Sequence, residues 1–251
     1  MEPRQLADYV DGLLEAHAFR DYAPNGLQVE GTRPVRRLVS GVTACQALLD
    51  AAVERDADAV LVHHGYFWKN EDARVTGMKA QRLRTLLGRG MSVLAYHLPL
   101  DAHPRLGNNA CLARDLGLTV TDTFDTGTDR PLGMVGEPSE PLALSAFTDR
   151  VAGALGREPV TVAGGSHAIR RLAWCSGGGQ GFIDHVATLG VDLYLSGEIS
   201  EPTVHTAREC GLHYVAAGHH ATERGGARAL GEHLAERFDL EHVFVDIDSP
   251  A

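Results

Sequence analysis

The stretch AVLVHHG, residues 59–65, is a short apolar run that stops abruptly at two histidines. Four apolar residues in a row are too few for a helix. They suit a strand buried on both faces of a parallel sheet, with polar side chains at its carboxyl end. The neighbouring runs LVSGV (38–42) and MSVLAYH (91–97) have the same character. Between them, 46–56 and 77–88 carry apolar residues at helical spacing, and Leu6, Val10, Leu13 and Leu14 predict an opening helix over 4–17. A strand–helix alternation of this length predicts an α/β fold with mostly parallel sheets flanked by helices.

Further along, a helix is expected over 107–116, followed by a Gly/Asp/Thr-rich passage at 125–130. The segment LGMVGE (132–137) and a helix near 142–155 form a bridge to a second strand–helix series. Its strands are RLAWCS (171–176), DLYLSGE (192–198) and HYVAAGHH (213–220), with a helix over 222–238 and a last strand, HVFVDI (242–247). The two series resemble each other. VRRLVSG…AVLVHHG (35–65) lies over IRRLAWCSG…DLYLSGE (169–198) with one shift, since Arg36 to Arg170 and His64 to Glu198 are both 134 residues. His97 to His219 and Asp101 to Glu223 are both 122 residues, so H-x-x-x-D in one half answers H-x-x-x-E in the other. These matches predict two pseudo-repeated α/β lobes facing one another, 1–125 and 126–251, with the last helix and strand packing back on the first lobe.

Composition narrows the function. The 251 residues are 44% hydrophobic and 22% charged, ordinary for a globular protein, with a formal net charge of −10. No basic stripe stands out to meet phosphates, so nucleic-acid binding is not expected. No apolar run reaches the roughly 18 residues of a membrane span, and the acidic, amphipathic start is unlike a signal peptide. Cys45, Cys111, Cys175 and Cys210 stand singly, which argues against a thiolate zinc site or a disulfide framework and for a reducing cytoplasm.

The histidines are the chemical signal. His63/His64, His97/Asp101, Glu198 and His219/Glu223 all fall at predicted strand ends, where open α/β sheets collect ligands. Residues four apart share a helix face or flank a strand-to-helix turn and can converge on one ion. Imidazole and carboxylate bind Zn, Mn, Fe, Co or Ni at about 2.0–2.2 Å, and this mixture does not choose among them. The inventory exceeds what one zinc ion uses and makes two ions plausible, about 3.5–4 Å apart with a shared carboxylate and a water activated between them. Each piece alone has a plainer reading. An HH pair at a strand end is more often structural, and Glu223 in a first helical turn would complement the dipole. His103, His205, His213 and His233 lack a comparable setting. SGGGQGF (176–182) can cradle a phosphate at a helix start, but it lacks the Lys-Ser/Thr of a P-loop and is equally explained as a tight turn.

The segments NGLQVEG (25–31), LVHHG (61–65), H-x-x-x-D (97–101), SGE (196–198) and GHHATERGG (218–226) resemble, in order, the pattern of the Nif-three-like proteins, the GTP cyclohydrolase 1 type 2 homologs. The resemblance runs from about residue 4 to 247 and is to the short form, without a domain inserted between the halves. It implies a two-lobed α/β protein with a metal site between the lobes, a dinuclear centre of two divalent metal ions, assembled as a ring-like homohexamer. Carried onto this sequence, the ligands fall on His63, His64, Asp101, His219 and Glu223, with Asp101 or Glu223 as the bridge. His97 is an additional ligand or a supporting group, and Glu198 a base or a supporting acceptor. His220 stands where many relatives carry an aromatic residue and is not a primary ligand. Tyr66 replaces a proline common after that glycine. Asn25 and Gln28 either orient substrate or make plain turn contacts.

Two functions follow as expectations. One is a metal-dependent hydrolase, acting on a nucleotide or a phosphorylated small molecule, with Glu198 and His97 moving protons; the family label points to opening of the guanine imidazole ring of GTP. The alternative is a metal-storage, metal-delivery or regulatory protein without turnover. The sequence shows no clear triphosphate clamp; Arg224 is one candidate anion contact.

Overall fold

The computed structural model describes residues 1–127 and 130–251, so the Gly/Asp/Thr-rich passage at 125–130 lies partly outside the described residues. The described strands are β1 (Gly26–Val29), β2 (Arg37–Thr43), β3 (Ala59–His64), β4 (Ser92–Ala95), β5 (Leu118–Phe124), β6 (Gly133–Pro138), β7 (Val160–Val162), β8 (Leu172–Cys175), β9 (Leu193–Ser196), β10 (His213–Ala216) and β11 (Glu241–Phe244). The chain forms two compact units. Met1–Gly107 joins Gly226–Asp248, and Asn108–Gly225 joins Ser249–Ala251. The position 125/126 therefore falls inside the second unit. The reason is packing: Leu112 and Ala113 of the helix Asn108–Asp115 belong to one apolar cluster with Leu118, Met134 and Trp174.

The first unit holds a five-stranded sheet in the order β1-β4-β3-β2-β11. β4, β3, β2 and β11 are parallel, and β1 runs antiparallel at the edge. Period-two alternation decides what each face covers. Val39, Val60, Val62 and Val93 meet Leu48 and Leu49 of the helix Gln46–Glu54 and Leu86 of the helix Gly77–Arg89. Leu38, Leu61 and Leu94 meet Leu6 and Val10 of the helix Pro3–Leu13 and Leu230 and Leu234 of the helix Arg224–Phe238. Both faces are thus covered by helices, which is why β3 reads as an unbroken apolar run. Among the described residues no helix is long and apolar enough to cross a membrane.

The second unit holds a six-stranded sheet in the order β5-β6-β8-β9-β10-β7. Its centre, β8-β9-β10, is parallel. Antiparallel strands flank that centre: the β5-β6 hairpin on one side and β7 on the other. This sheet is more mixed than the strand–helix alternation suggests, because β5 and β7 have mostly exposed faces and give little apolar signal.

The internal repeat is a register-level fact. Leu38 pairs Ala59 and Ala59 pairs Ser92 in the first unit; Leu172 pairs Leu193 and Leu193 pairs His213 in the second. β1 against β4 and β7 against β10 repeat the antiparallel edge, with Gly26 opposite Ala95 and Val160 opposite Ala216. A carboxylate clamp repeats as well. Asp58 Oδ2 accepts the backbone N–H groups of Arg36 and Arg37, both at 2.9 Å, and Asp192 Oδ2 accepts those of Arg170 and Arg171 at 2.8 and 3.0 Å. Asp58 is 5% exposed and pairs with Arg33 at 2.6 Å. Asp58→Ala strands these donors and should lower unfolding free energy by about 1–3 kcal/mol. The urea midpoint measures this; an unchanged midpoint would show that the clamp is ornamental to the fold.

Candidate metal centre

In the first unit, β3 ends at His63 and His64. His63 is fully buried, and its Nδ1 lies 2.9 Å from the Tyr96 carbonyl oxygen. A carbonyl only accepts, so Nδ1 carries a proton, and in the neutral ring the lone pair is on Nε2. That Nε2 lies 3.5 Å from Oδ1 of Asp101, itself buried in the short helix Leu98–Ala102. His97 caps the same helix, and its Nδ1 donates to Asp21 Oδ1 at 2.6 Å. In its neutral form this ring likewise has its lone pair on Nε2. Burial pushes the Asp21 carboxyl up, but the hydrogen bond and charge of His97, with contacts from Asn25 and Tyr22, outweigh it and hold Asp21 below the ordinary carboxylate value. The Thr43 hydroxyl sits 3.2 Å from Nδ1 of His64. One ring nitrogen from each of His63, His64 and His97 lies within 4.8 Å of the others.

In the second unit, Gly218 takes φ 98° and caps the one-turn helix His219–Thr222. His219 Nδ1 donates to Glu198 Oε1 at 2.7 Å, and its Nε2 lies 3.2 Å from Oε2 of the buried Glu223. The hydrogen bond to Glu223 outweighs burial and, with the charges of both carboxylates, pushes His219 up to about 9. An ion taken at Nε2 displaces that proton. Glu198 Oε2 accepts a hydrogen bond from Gln180 at 2.8 Å, so both of its oxygens are engaged.

The structure therefore brings His63, His64, His97 and Asp101 together in one unit, and Glu198, His219 and Glu223 in the other. Imidazole and carboxylate with orienting partners behind them are the donor chemistry of a Zn, Mn, Fe, Co or Ni site, and the residues fit that group. His103 and His213 bond instead to backbone groups, and His205 and His233 to Glu201 and Tyr9.

Several supporting residues were invisible to spacing arguments. Asp21 is not among the sequence candidates, because no pattern ties it to a histidine 76 positions away. Asn25 accepts the backbone N–H of His97 at 2.8 Å and donates to Asp21 at 2.9 Å. Gln28 accepts the backbone N–H of Tyr66 at 2.6 Å. NGLQ thus braces the histidine loops. Arg224, offered by the sequence as an anion contact, donates to the Leu155 carbonyl. The Gly-rich loop has a steric role: Gly177 has φ +62°, and a Cβ there would collide with Glu223 Oε1.

Compared with known proteins, residues 1–250 match the family described as Duf34/NIF3 (NGG1p interacting factor 3). The chain belongs to that family. A GTP cyclohydrolase 1 type 2 homolog of Pseudomonas aeruginosa is 57% identical over 246 residues, covering 98% of this chain and 97% of its relative. The homolog of Escherichia coli strain K12 is 52% identical over 252 residues and covers 100% of both. A solved structure described as protein ybgI, of unknown function, is similar with a TM-score of 0.96 and 51% identity, covering 100% of both chains. The Duf34/NIF3 fold is thus shared along the whole length.

In this Duf34/NIF3 chain, Gly177→Ala should displace Glu223, whereas a Cβ at Gly178 meets nothing closer than 3.8 Å. Gly177→Ala is expected to lose most bound metal and Gly178→Ala to keep it, with both folded by circular dichroism. Elemental analysis of the two purified variants checks this, and equal metal content would refute the steric role.

Proposed function

We propose that this chain binds two divalent metal ions through His63, His64, Asp101, His219 and Glu223 and works as a metal-dependent hydrolase of the GTP cyclohydrolase 1 type 2 type. The observation that carries the reading is His63: a fully buried imidazole with Nδ1 tied to a carbonyl and Nε2 turned toward Asp101. An imidazole held in one tautomer beside a buried carboxylate is how metal ligands are prepared. When bound, the ions would supply Lewis-acid activation of water near neutral pH.

The chain's own residues do the rest. Tyr96 and Asp21 hold His63 and His97 with Nε2 as the lone-pair nitrogen. His97 is then able to accept a proton at Nε2 during reaction. Glu198, with both oxygens engaged, holds His219 in the tautomer that leaves Nε2 for the metal. Asp101 or Glu223 serves as the shared carboxylate. GTP, named in the relatives' description, is the first substrate to try. A homohexameric ring and a cytoplasmic setting belong to the same reading.

The first test is metal per chain in protein purified without chelator. Wild type should carry about two equivalents, and the His63→Ala/His219→Ala double variant should lose nearly all of it. No uptake after incubation with Zn, Mn, Fe, Co or Ni would sink the reading. Metal held tightly without turnover of GTP or simple phosphoesters would move the protein to metal storage or delivery.

A further inference from the structure

The clustered histidines of the first unit have aromatic neighbours that the proposed chemistry leaves unused. The Trp68 ring stands edge-on to His97, with centroids 5.0 Å apart at 83°, and 5.8 Å from His64. Tyr22 meets His97 at 6.3 Å and 65°. Trp68 is half-buried, Tyr22 is 58% exposed and the adjoining Phe67 is 38% exposed. Large apolar rings left in water at the rim of a polar cluster are the pattern of a ligand-facing surface rather than of a core.

The wall is also held in place. The Tyr66 N–H is bound by Gln28, the Trp68 N–H by Glu71 at 3.2 Å, the Trp68 indole N–H by the Gly65 carbonyl at 3.3 Å, and the Lys69 N–H by the Tyr22 carbonyl at 2.6 Å. The last bond ties the two aromatic segments to each other. Phe67 and Asn70 have φ of 64° and 71°, left-handed backbone that a bulky residue such as Phe rarely adopts. Such a conformation persists where the surroundings impose it, and it recurs at ligand clamps. Lys79 lies over the Phe67 ring at 5.1 Å and helps to fix it. A preset aromatic wall lowers the ordering cost of binding a flat ligand.

We infer that Trp68, with Tyr22, is the stacking wall that holds a planar heteroaromatic ring of the substrate beside His64 and His97. This specificity role rests on the reading of those histidines as part of a metal centre. Offset stacking on an indole favours a flat unsaturated ring and offers nothing to a bare polyphosphate, which has no face to stack. The flat group would therefore be recognised independently of any phosphate it carries.

The chain has two tryptophans, and Trp174 is fully buried with its N–H bound to the Asn109 carbonyl. Ligand-sensitive emission thus reports Trp68. The experiment titrates the full-length, zinc-loaded protein with guanosine, adenosine, cytidine, GTP and, as the flat-ring-free control, tripolyphosphate. Expected are quenching by at least one nucleoside and by GTP, none by tripolyphosphate, and about tenfold weaker nucleoside binding in Trp68→Leu by calorimetry. Trp68→Phe, which keeps a ring, should retain most of the affinity, and zinc per chain should match wild type in both variants. Unchanged nucleoside affinity in Trp68→Leu, equal quenching by tripolyphosphate, or no binding of any flat probe to zinc-loaded wild type would overturn the inference. Failure of the metal reading shows separately, as wild type that takes up no zinc.

Discussion

The hydrogen bond from His63 Nδ1 to the Tyr96 carbonyl ties the sheet to the site. A fully buried imidazole is tolerated only if its polar atoms are satisfied. Here the partner comes from the register: β3 and β4 run parallel with Val62 beside Ala95, so the next residues, His63 and Tyr96, are neighbours. Tyr96 is fixed in turn by its own N–H to the Val62 carbonyl and by its hydroxyl, which donates to Asp11 at 2.7 Å. Burial first, and then the Asp11 charge, raise the Tyr96 hydroxyl far above its usual range, so it stays a donor. The opening helix, two strands and a candidate ligand histidine thus share one chain of polar contacts, and the ring cannot turn without disturbing all of them.

The second unit uses the same scaffold with different ends. The aspartate clamp, the three parallel strands and the antiparallel edge strand recur with matching register. At the position that holds His64 in one half, the other holds Glu198, which orients His219. The duplicated part is therefore the backbone frame, and single positions at the strand ends, such as His64 against Glu198, are where the halves diverge. A frame pinned by backbone hydrogen bonds tolerates such change, because the end residues contribute little to the core.

How far the sequence could be read follows from this. The parallel strands were legible because burial on both faces removes alternation and leaves runs such as AVLVHH. Most candidate ligands were legible because they lie directly after those runs. β5 and β7 were not, since edge strands with exposed faces resemble loops. Nor was Asp21, whose link to His97 exists only once the loop over 21–25 folds back along β4. Asn25 and Gln28 were visible as turn residues, but only the coordinates show that they bind the backbone of His97 and Tyr66 and so brace the ligand-bearing loops.

The surroundings of the Gly-rich loop over 176–182 bear on what this unit can bind. Glycine-rich turns at helix starts often cradle phosphate with backbone N–H groups. Here the Gly177 N–H is taken by the Thr222 hydroxyl at 2.9 Å, and the open side of Gly177 is filled by the Glu223 carboxylate. Glu198 lies beyond Gly178, tied to Gln180 from the same loop. Two carboxylates against the loop repel an anion, and Arg224, next to Glu223 in sequence, is turned to a carbonyl. In this unit the charge calls for a cation before any phosphate, so a phosphorylated ligand would approach only after a metal ion has neutralised Glu223. The glycines let a carboxylate come close, and that carboxylate makes the loop better suited to a cation than to a phosphate.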